Sequence, residues 1–167
     1  IKIFGVNHHD THPDRMFALS QGDMEKDISL MKKLNVNAVR FSHYPPHPYM
    51  LELCDKEGFY VIDEADAECH GELFMRGGKN SFSNDTIWKN TLWDRVERLF
   101  ERDKNHPSVV MWSLGNESGA GKNHVYSYKN LKKKVFAAVV HYEDTHTFDG
   151  KVSDVKSFMY SAPDFLK

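Results

Sequence analysis

Short apolar runs rich in β-branched residues alternate along this chain with amphipathic stretches of helical period. The run Ile3-Phe4-Gly5-Val6 predicts a strand, closed by the polar cluster Asn7-His8-His9-Asp10 and a loop through Pro13. Ser20 and Asp23 stand at capping-box spacing, with Asp in place of the usual Glu or Gln. Met24, Ile28, Met31 and Leu34 follow on one helical face, so a helix is expected to about Lys33. Residues 36–41 predict the second strand, and Tyr44-Pro45-Pro46 a turn. Tyr49, Leu51, Leu53 and Cys54 fit a short helix ended by Gly58. Residues 59–62 predict the third strand, which runs into Asp63-Glu64. The irregular stretch 65–86 holds Gly71, Gly77 and Gly78. A loop that long in a compact domain is usually functional or disordered. Trp88, Leu92, Val96 and Leu99 mark a helix that His106-Pro107 stops. A strand at 109–114, a helix near 123–136 and a strand at 139–142 complete the alternation, with one more strand expected around 155–160.

Alternation with short connections argues a parallel sheet, either open and doubly wound or closed into a barrel. No glycine-rich nucleotide fingerprint follows the first strand, so the dinucleotide-binding form of the open sheet loses its main support. Polar residues gather after every strand instead: Asn7 and His9, Arg40 and His43, Glu64 and Glu68, Asn116 and Glu117, Glu143. Such groups at successive strand ends describe the mouth of a (β/α) barrel. The expected fold is therefore α/β, a partial (β/α)8 TIM barrel of about six parallel strands with intervening helices.

Composition narrows the partners. A net charge of −2 offers no field for nucleic acid or an acidic membrane surface. Lys132-Lys133-Lys134 reads as a solvated helix face, and no apolar run approaches the ~20 residues that span a bilayer. Cys54 and Cys69 are the only cysteines and form no CxxC pattern, which fits a reducing, cytoplasmic setting. The chain opens on Ile1 and runs straight into strand-like sequence, so residues 1–167 are expected to be a piece of a longer protein.

The most telling stretch is 109–118, where a β-branched run ends abruptly in Asn116-Glu117. A buried strand that delivers a carboxylate and an amide to a barrel mouth suits proton transfer to a polar substrate. The plainer reading is that Glu117 sits near the start of the next helix, where acids are favoured. Glu68, His70 and Glu117 are the candidate cation ligands, two carboxylates and an imidazole suited to Mg²⁺ or a similar hard ion. Spacing alone favours a plainer pairing of Glu68 and His70 with basic neighbours, because a Glu-x-His triplet is common. His9 and His43 each follow a strand and would overlook the same mouth, where imidazoles bond hydroxyls or stabilise developing charge. His8 and His12 read as an ordinary polar turn. The absence of an HExxH helix or a cysteine set argues against zinc. Arg40 at a strand end suits orientation of a carboxylate. Trp112 reads as core packing. Trp88 and Trp93 also sit at core spacing, although a sugar ring could stack on either.

Four stretches occur in a telling order: Gly5-Val6-Asn7-His8-His9-Asp10, Asn37-Ala38-Val39-Arg40-Phe41-Ser42-His43-Tyr44-Pro45, Asp63-Glu64-Ala65-Asp66-Ala67-Glu68-Cys69-His70-Gly71, and Arg102-Asp103-Lys104-Asn105-His106-Pro107-Ser108 through Ser118. Together they closely resemble the catalytic barrel of the glycoside hydrolase family 2 β-galactosidases. The match is specific over about residues 1–120 and looser through His141-Tyr142-Glu143 and residues 153–160. The resemblance implies a retaining β-glycosidase acting on a β-galactoside such as lactose. It assigns Glu117 as general acid/base and Asn116 to the substrate 2-hydroxyl. It gives Glu68, His70 and Glu117 as magnesium ligands, His9 and His43 as substrate histidines, and Arg40 as support for the nucleophile. The parent protein is expected to be a homo-oligomer, and charge and hydropathy give it no nucleic-acid or membrane partner.

Three departures qualify it. Cys69 stands where threonine is usual, and residues 132–140 lack the Asp-Pro and Arg-Pro pattern often found before the fifth strand. Retention also requires a second carboxylate ~5–5.5 Å from the first. The family carries it as a glutamate on the seventh strand, whereas no glutamate follows Glu143 here. A full barrel takes ~250 residues. The expectation is thus a fragment holding the acid/base without the nucleophile, inactive when isolated and with an open strand edge that invites association. A β-glucuronidase of the same family is the second reading. A non-catalytic sugar-binding or scaffolding piece is the third.

Overall fold

The computed structural model describes residues 2–71, 82–143 and 151–161. Five strands run through it: β1 (Gly5–His8), β2 (Ala38–Phe41), β3 (Tyr60–Glu64), β4 (Val109–Asn116) and β5 (Val140–Glu143). They alternate with helices α1 (Gln21–Lys33), α2 (Pro48–Glu57), α3 (Lys89–Asp103) and α4 (Lys122–Lys134), and a 3-10 turn at Thr86–Trp88 leads into α3. Every neighbouring pair is parallel, and spatial order follows chain order, β1-β2-β3-β4-β5. A doubly wound sheet reverses its order at a switch point, whereas an unbroken sequential order is the barrel's winding. The partial barrel expected from the alternation is what forms.

Register decides what each face carries. Val39 pairs with Val61, Asp63 with Trp112, and Trp112 with Val140, so these side chains share one face. Met24, Ile28 and Met31 of α1 and Met50, Leu51, Leu53 and Cys54 of α2 cover that face at β2 and β3. Val96, Leu99 and Phe100 of α3 and Tyr128 and Leu131 of α4 cover it at β4 and β5. Burial of this apolar surface, at ~25 cal/mol per Å², is what holds helices to sheet. The opposite face carries Asn7, Arg40 and Ile62 in one row and Glu64, Ser113 and His141 in the next. One face is therefore a core and the other a polar interior.

Local signals act as their chemistry requires. Ser20 accepts from the Asp23 amide while the Asp23 carboxylate accepts from the Ser20 amide, so the capping box works with Asp at its third position. Gly58 closes α2 at φ 72°, a left-handed C-cap open to glycine at no steric cost. β1 starts two residues later than the apolar run, because the Asn37 side chain accepts from the Phe4 amide before the ladder begins at Gly5 and Ala38. Just before this edge strand Ile3 and Phe4 stay more than half exposed, at 54% and 55%.

The strand expected at 155–160 does not form. Asp154 occupies the free edge of β5 instead. Its amide donates to the Val140 carbonyl at 2.7 Å, and its carboxylate accepts from the Val140 amide at 3.0 Å and from Tyr128 at 2.7 Å. With both main-chain groups of Val140 taken by one residue, no ladder propagates from there. Of the long irregular stretch, 72–81 lies outside the described residues. Among the described residues no helix is long and apolar enough to cross a membrane.

Asp63 is the exception on the core face. Both its carboxyl oxygens are buried and lack a donor. Burial, reinforced by the neighbouring Asp103 carboxylate, pushes the group well above the ordinary aspartate range. Native Asp63 keeps its proton where the unfolded chain has released it. Its contribution to stability is therefore full below the unfolded value and is lost as pH climbs through the native one, at about 1.4 kcal/mol per pH unit between them. Asp63→Asn keeps the shape without needing the proton. The fall in thermal midpoint from about pH 5 to about pH 8 should shrink in that variant; an unchanged fall would assign the slope to other groups.

Candidate active site

The polar interior converges on the C-terminal ends of β2, β3 and β4. Glu64 closes β3 with its side chain fully buried. One of its oxygens accepts from Arg40 Nε at 2.7 Å and from Ser113 Oγ at 2.7 Å. The other accepts from Arg40 Nη2 and His43 Nδ1, each at 2.9 Å. Burial pushes the Glu64 carboxyl up, but the His43 ring, the Arg40 guanidinium and the Ser113 hydroxyl outweigh it and hold the group below the ordinary range. Ser113 in turn lies 2.9 Å from His141 Nδ1.

Arg40 carries this network to the next strand, donating from Nη2 to Asn116 Oδ1 at 3.0 Å. The Asn116 amide then donates to Glu68 Oε2 at 2.6 Å and to Glu117 Oε2 at 3.1 Å. Only this orientation places the amide hydrogens on carboxylates and its oxygen on the guanidinium. Glu117 Oε1 meets His70 Nδ1 at 3.1 Å. Arg40, His43, Glu68, His70, Asn116 and Glu117 thus form one connected path.

Backbone geometry holds that path together. Glu68 forms an isolated parallel bridge with Asn116, and Ala67 accepts the Asn116 amide at 3.0 Å, so the 65–70 loop extends the sheet beyond β3. Ser118 ties the same loop down, donating to Ala67 and accepting from the Cys69 amide at 2.9 Å. Gly115 sits at φ 132°, where a Cβ would lie 2.4 Å from the Ala67 carbonyl oxygen. Any side chain there would drive the loop from the strand. Glu117 itself has φ 38°, a left-handed conformation that non-glycine residues adopt under constraint.

The other predicted residues fall around this path. His9 is exposed on the rim, its ring 5.4 Å from that of His43 and 6.1 Å from that of Tyr44. His8 is instead held by Asp10 and Asp27, at 3.4 and 3.2 Å. Burial lowers its pKa, yet the two carboxylates outweigh that and raise it overall. Trp112 is core, edge-on to Phe100 at 5.0 Å, and Trp93 packs against the same cluster. Trp88 stays 43% exposed, beside Phe82 rather than lining the cleft.

An open cleft of about 500 Å³ lies over these groups, lined by Arg40, His43, Asn116, Glu117, His141 and Glu143 among others. That volume is the scale of a small-ligand site. Glu68, His70 and Glu117 offer the donor chemistry of a hard divalent cation. They are linked through Asn116 and the direct His70–Glu117 contact, and among the described residues no three such groups surround one point. Ser113 is a participant that the motifs do not mark, and Glu64 and His141 stand in them without a role. The period-two alternation that puts Glu64 on the face of Arg40 is the signal that marks them.

Comparison with known proteins gives the family. The family model for glycosyl hydrolases family 2, TIM barrel domain, matches residues 1–167. A β-galactosidase of Psychromonas ingrahamii is 49% identical over 141 residues, which is 84% of this chain and 13% of that protein. One from Pectobacterium atrosepticum is 43% identical over 162 residues, 97% of this chain and 15% of that protein. The chain thus spans about 13–15% of the length of these curated relatives. A β-D-glucuronidase structure from Dictyoglomus thermophilum superposes with a TM-score of 0.72 at 30% identity, over 86% of this chain and 25% of that one. The chain belongs to the glycosyl hydrolases of family 2, as a stretch of their TIM barrel domain.

Proposed function

We propose that the protein carrying this segment is a retaining β-galactosidase in which Glu117 is the general acid/base. The observation that carries this is the placement of Glu117 at the end of β4, on the cleft, with one oxygen facing His70 and the other the Asn116 amide. In the first step Glu117 gives its proton to the leaving oxygen as the glycosidic bond breaks. In the second it takes a proton from the attacking water. Asn116 meets the sugar 2-hydroxyl, and His43 and His9 line the approach. The β-galactosidase relatives at 43–49% identity support the galactoside as substrate.

The charge in the cleft supports a neutral sugar over a uronic acid. Arg40 is the single Lys or Arg among the described residues lining it, and Glu64 already neutralises that guanidinium. Among the described residues lining the cleft, a glucuronate carboxylate would find no free Lys or Arg.

The nucleophile is not among these residues on this reading. Glu64 is buried and saturated by its donors, and Glu68 shares the Asn116 amide with Glu117. Glu64 is spent on holding Arg40 and Glu68 is assigned to the cation set, so neither serves as the second catalytic carboxylate. The isolated chain should therefore hydrolyse a chromogenic β-galactoside no faster than background. Robust turnover that Glu117→Gln abolishes would show that the segment holds its own nucleophile.

Glu68, His70 and Glu117 would hold Mg²⁺, in place of the direct His70–Glu117 contact. The ion supplies a fixed positive charge beside the acid/base carboxylate. Chelation of the full-length enzyme should then lower its activity, and added Mg²⁺ should restore it. Full activity of metal-free enzyme, with metal content checked by elemental analysis, would remove the ion from the proposal.

In the full-length enzyme Glu117→Gln keeps the shape but deletes the transferable proton. Turnover of lactose should fall about 10²–10⁴-fold, the usual worth of general acid–base catalysis. Glycosylation by an activated aryl galactoside should suffer less, because its leaving group departs unaided. Azide should partly rescue deglycosylation and yield β-galactosyl azide. Equal losses on both substrates with no azide effect would make Glu117 structural.

A further inference from the structure

We infer that Glu64 is a positioning residue of this site, acting on the sugar through Arg40 and Asn116; the inference rests on the β-galactosidase reading above. Glu64 is fully buried and touches the cleft only through other residues. Its two oxygens take four donors from three places in the chain: two from Arg40 on β2, one from His43 beyond it, and one from Ser113 on β4. A side-on pair to Nε and Nη2 fixes the guanidinium plane as well as its position. Because Nη2 also reaches Asn116 Oδ1, that plane decides where the amide oxygen sits.

The consequence for the sugar follows from counting donors. Both hydrogens of the Asn116 amide are spent, one on Glu68 and one on Glu117. Its oxygen has two acceptor sites, and Arg40 fills one. The remaining site is where a sugar hydroxyl can donate. Its direction is set by Arg40, and Arg40 is set by Glu64. Ser113 completes the clamp from the strand that carries Asn116, so the carboxylate links β3 to β4 three residues before the amide.

Glu64→Gln removes the charge and turns one acceptor oxygen into a donor facing Arg40, His43 or Ser113. In the full-length enzyme kcat/KM on a β-galactoside should fall about 100-fold, the scale of a misplacement of about 1 Å. The decisive measurement is a double-mutant cycle with Asn116→Ala. If Glu64 acts through Asn116, Glu64→Gln should cost less than about 3-fold once Asn116 is gone. Multiplicative losses in the double variant, or no loss in Glu64→Gln alone, overturn the inference. Should Glu64→Gln fail to fold, Ser113→Ala removes one donor and keeps the charge. The same cycle with it should show a smaller loss, again absent in the Asn116→Ala background, and independent losses there equally overturn the inference. Asn116→Ala on matched 2-hydroxy and 2-deoxy galactosides tests the underlying reading separately. Equal losses on the two would refute the 2-hydroxyl assignment while leaving the outcome of the cycle as it stands.

Discussion

A carboxylate with no exposed surface has to be met by donors or lose its charge, and Glu64 is met completely. The cost of taking an ion pair out of water is of order several kcal/mol per ion, recovered only when geometry is good and the remaining lone pairs are filled. Arg40, His43 and Ser113 fill them here, from a strand, the chain beyond it and a second strand. Loss of any one donor would leave the others around an under-satisfied buried charge. That constraint joins the polar face of the sheet in one piece. It is why residues 76 positions apart, Arg40 and Asn116, meet in one hydrogen bond.

The second support is steric. β4 carries Asn116 and Glu117 past the end of the apolar run, and the 65–70 loop must lie against it for Glu68 to reach the Asn116 amide. The approach is so close that only a glycine fits at 115. The chain then turns through a left-handed Glu117, whose amide donates to the Glu143 carbonyl of β5 at 3.2 Å. A carboxylate held on a constrained turn between two anchors loses little freedom when a substrate arrives. That is the preorganisation the proposed proton-transfer role calls for.

Periodicity made most of this scaffold legible. The helical faces at Met24, Ile28 and Met31, the capping box at Ser20 and the glycine stop at Gly58 are local signals, and they act locally. The gathering of polar side chains at the strand ends was legible as well, because a barrel carries such groups at its mouth. What escaped depends on register. Nothing near residue 113 in the sequence announces that Ser113 will face Glu64, since that pairing follows from an irregularity between β3 and β4. The segment 155–160 misled for a related reason. Its residues suit a strand, but Asp154 takes both main-chain groups of Val140 before a ladder can begin. Glu68, His70 and Glu117 were legible only as candidate donor chemistry, and among the described residues no three such groups surround one point.

Asp63 and Glu64 bring these threads to a single step of the backbone. They are adjacent, both carboxylic acids and both fully buried, so composition and burial treat them alike. The pleat separates them. Asp63 points to the helices, where it finds Asp103 and no donor, and burial drives it toward the neutral acid. Glu64 points to the interior, where Arg40, His43 and Ser113 hold it as the anion. A one-residue slip of β3 would exchange their environments. It would put an unpaired charge in the core and remove the anchor of Arg40. The alternation that sorts apolar from polar side chains thus also decides which carboxyl keeps its proton and which serves the site.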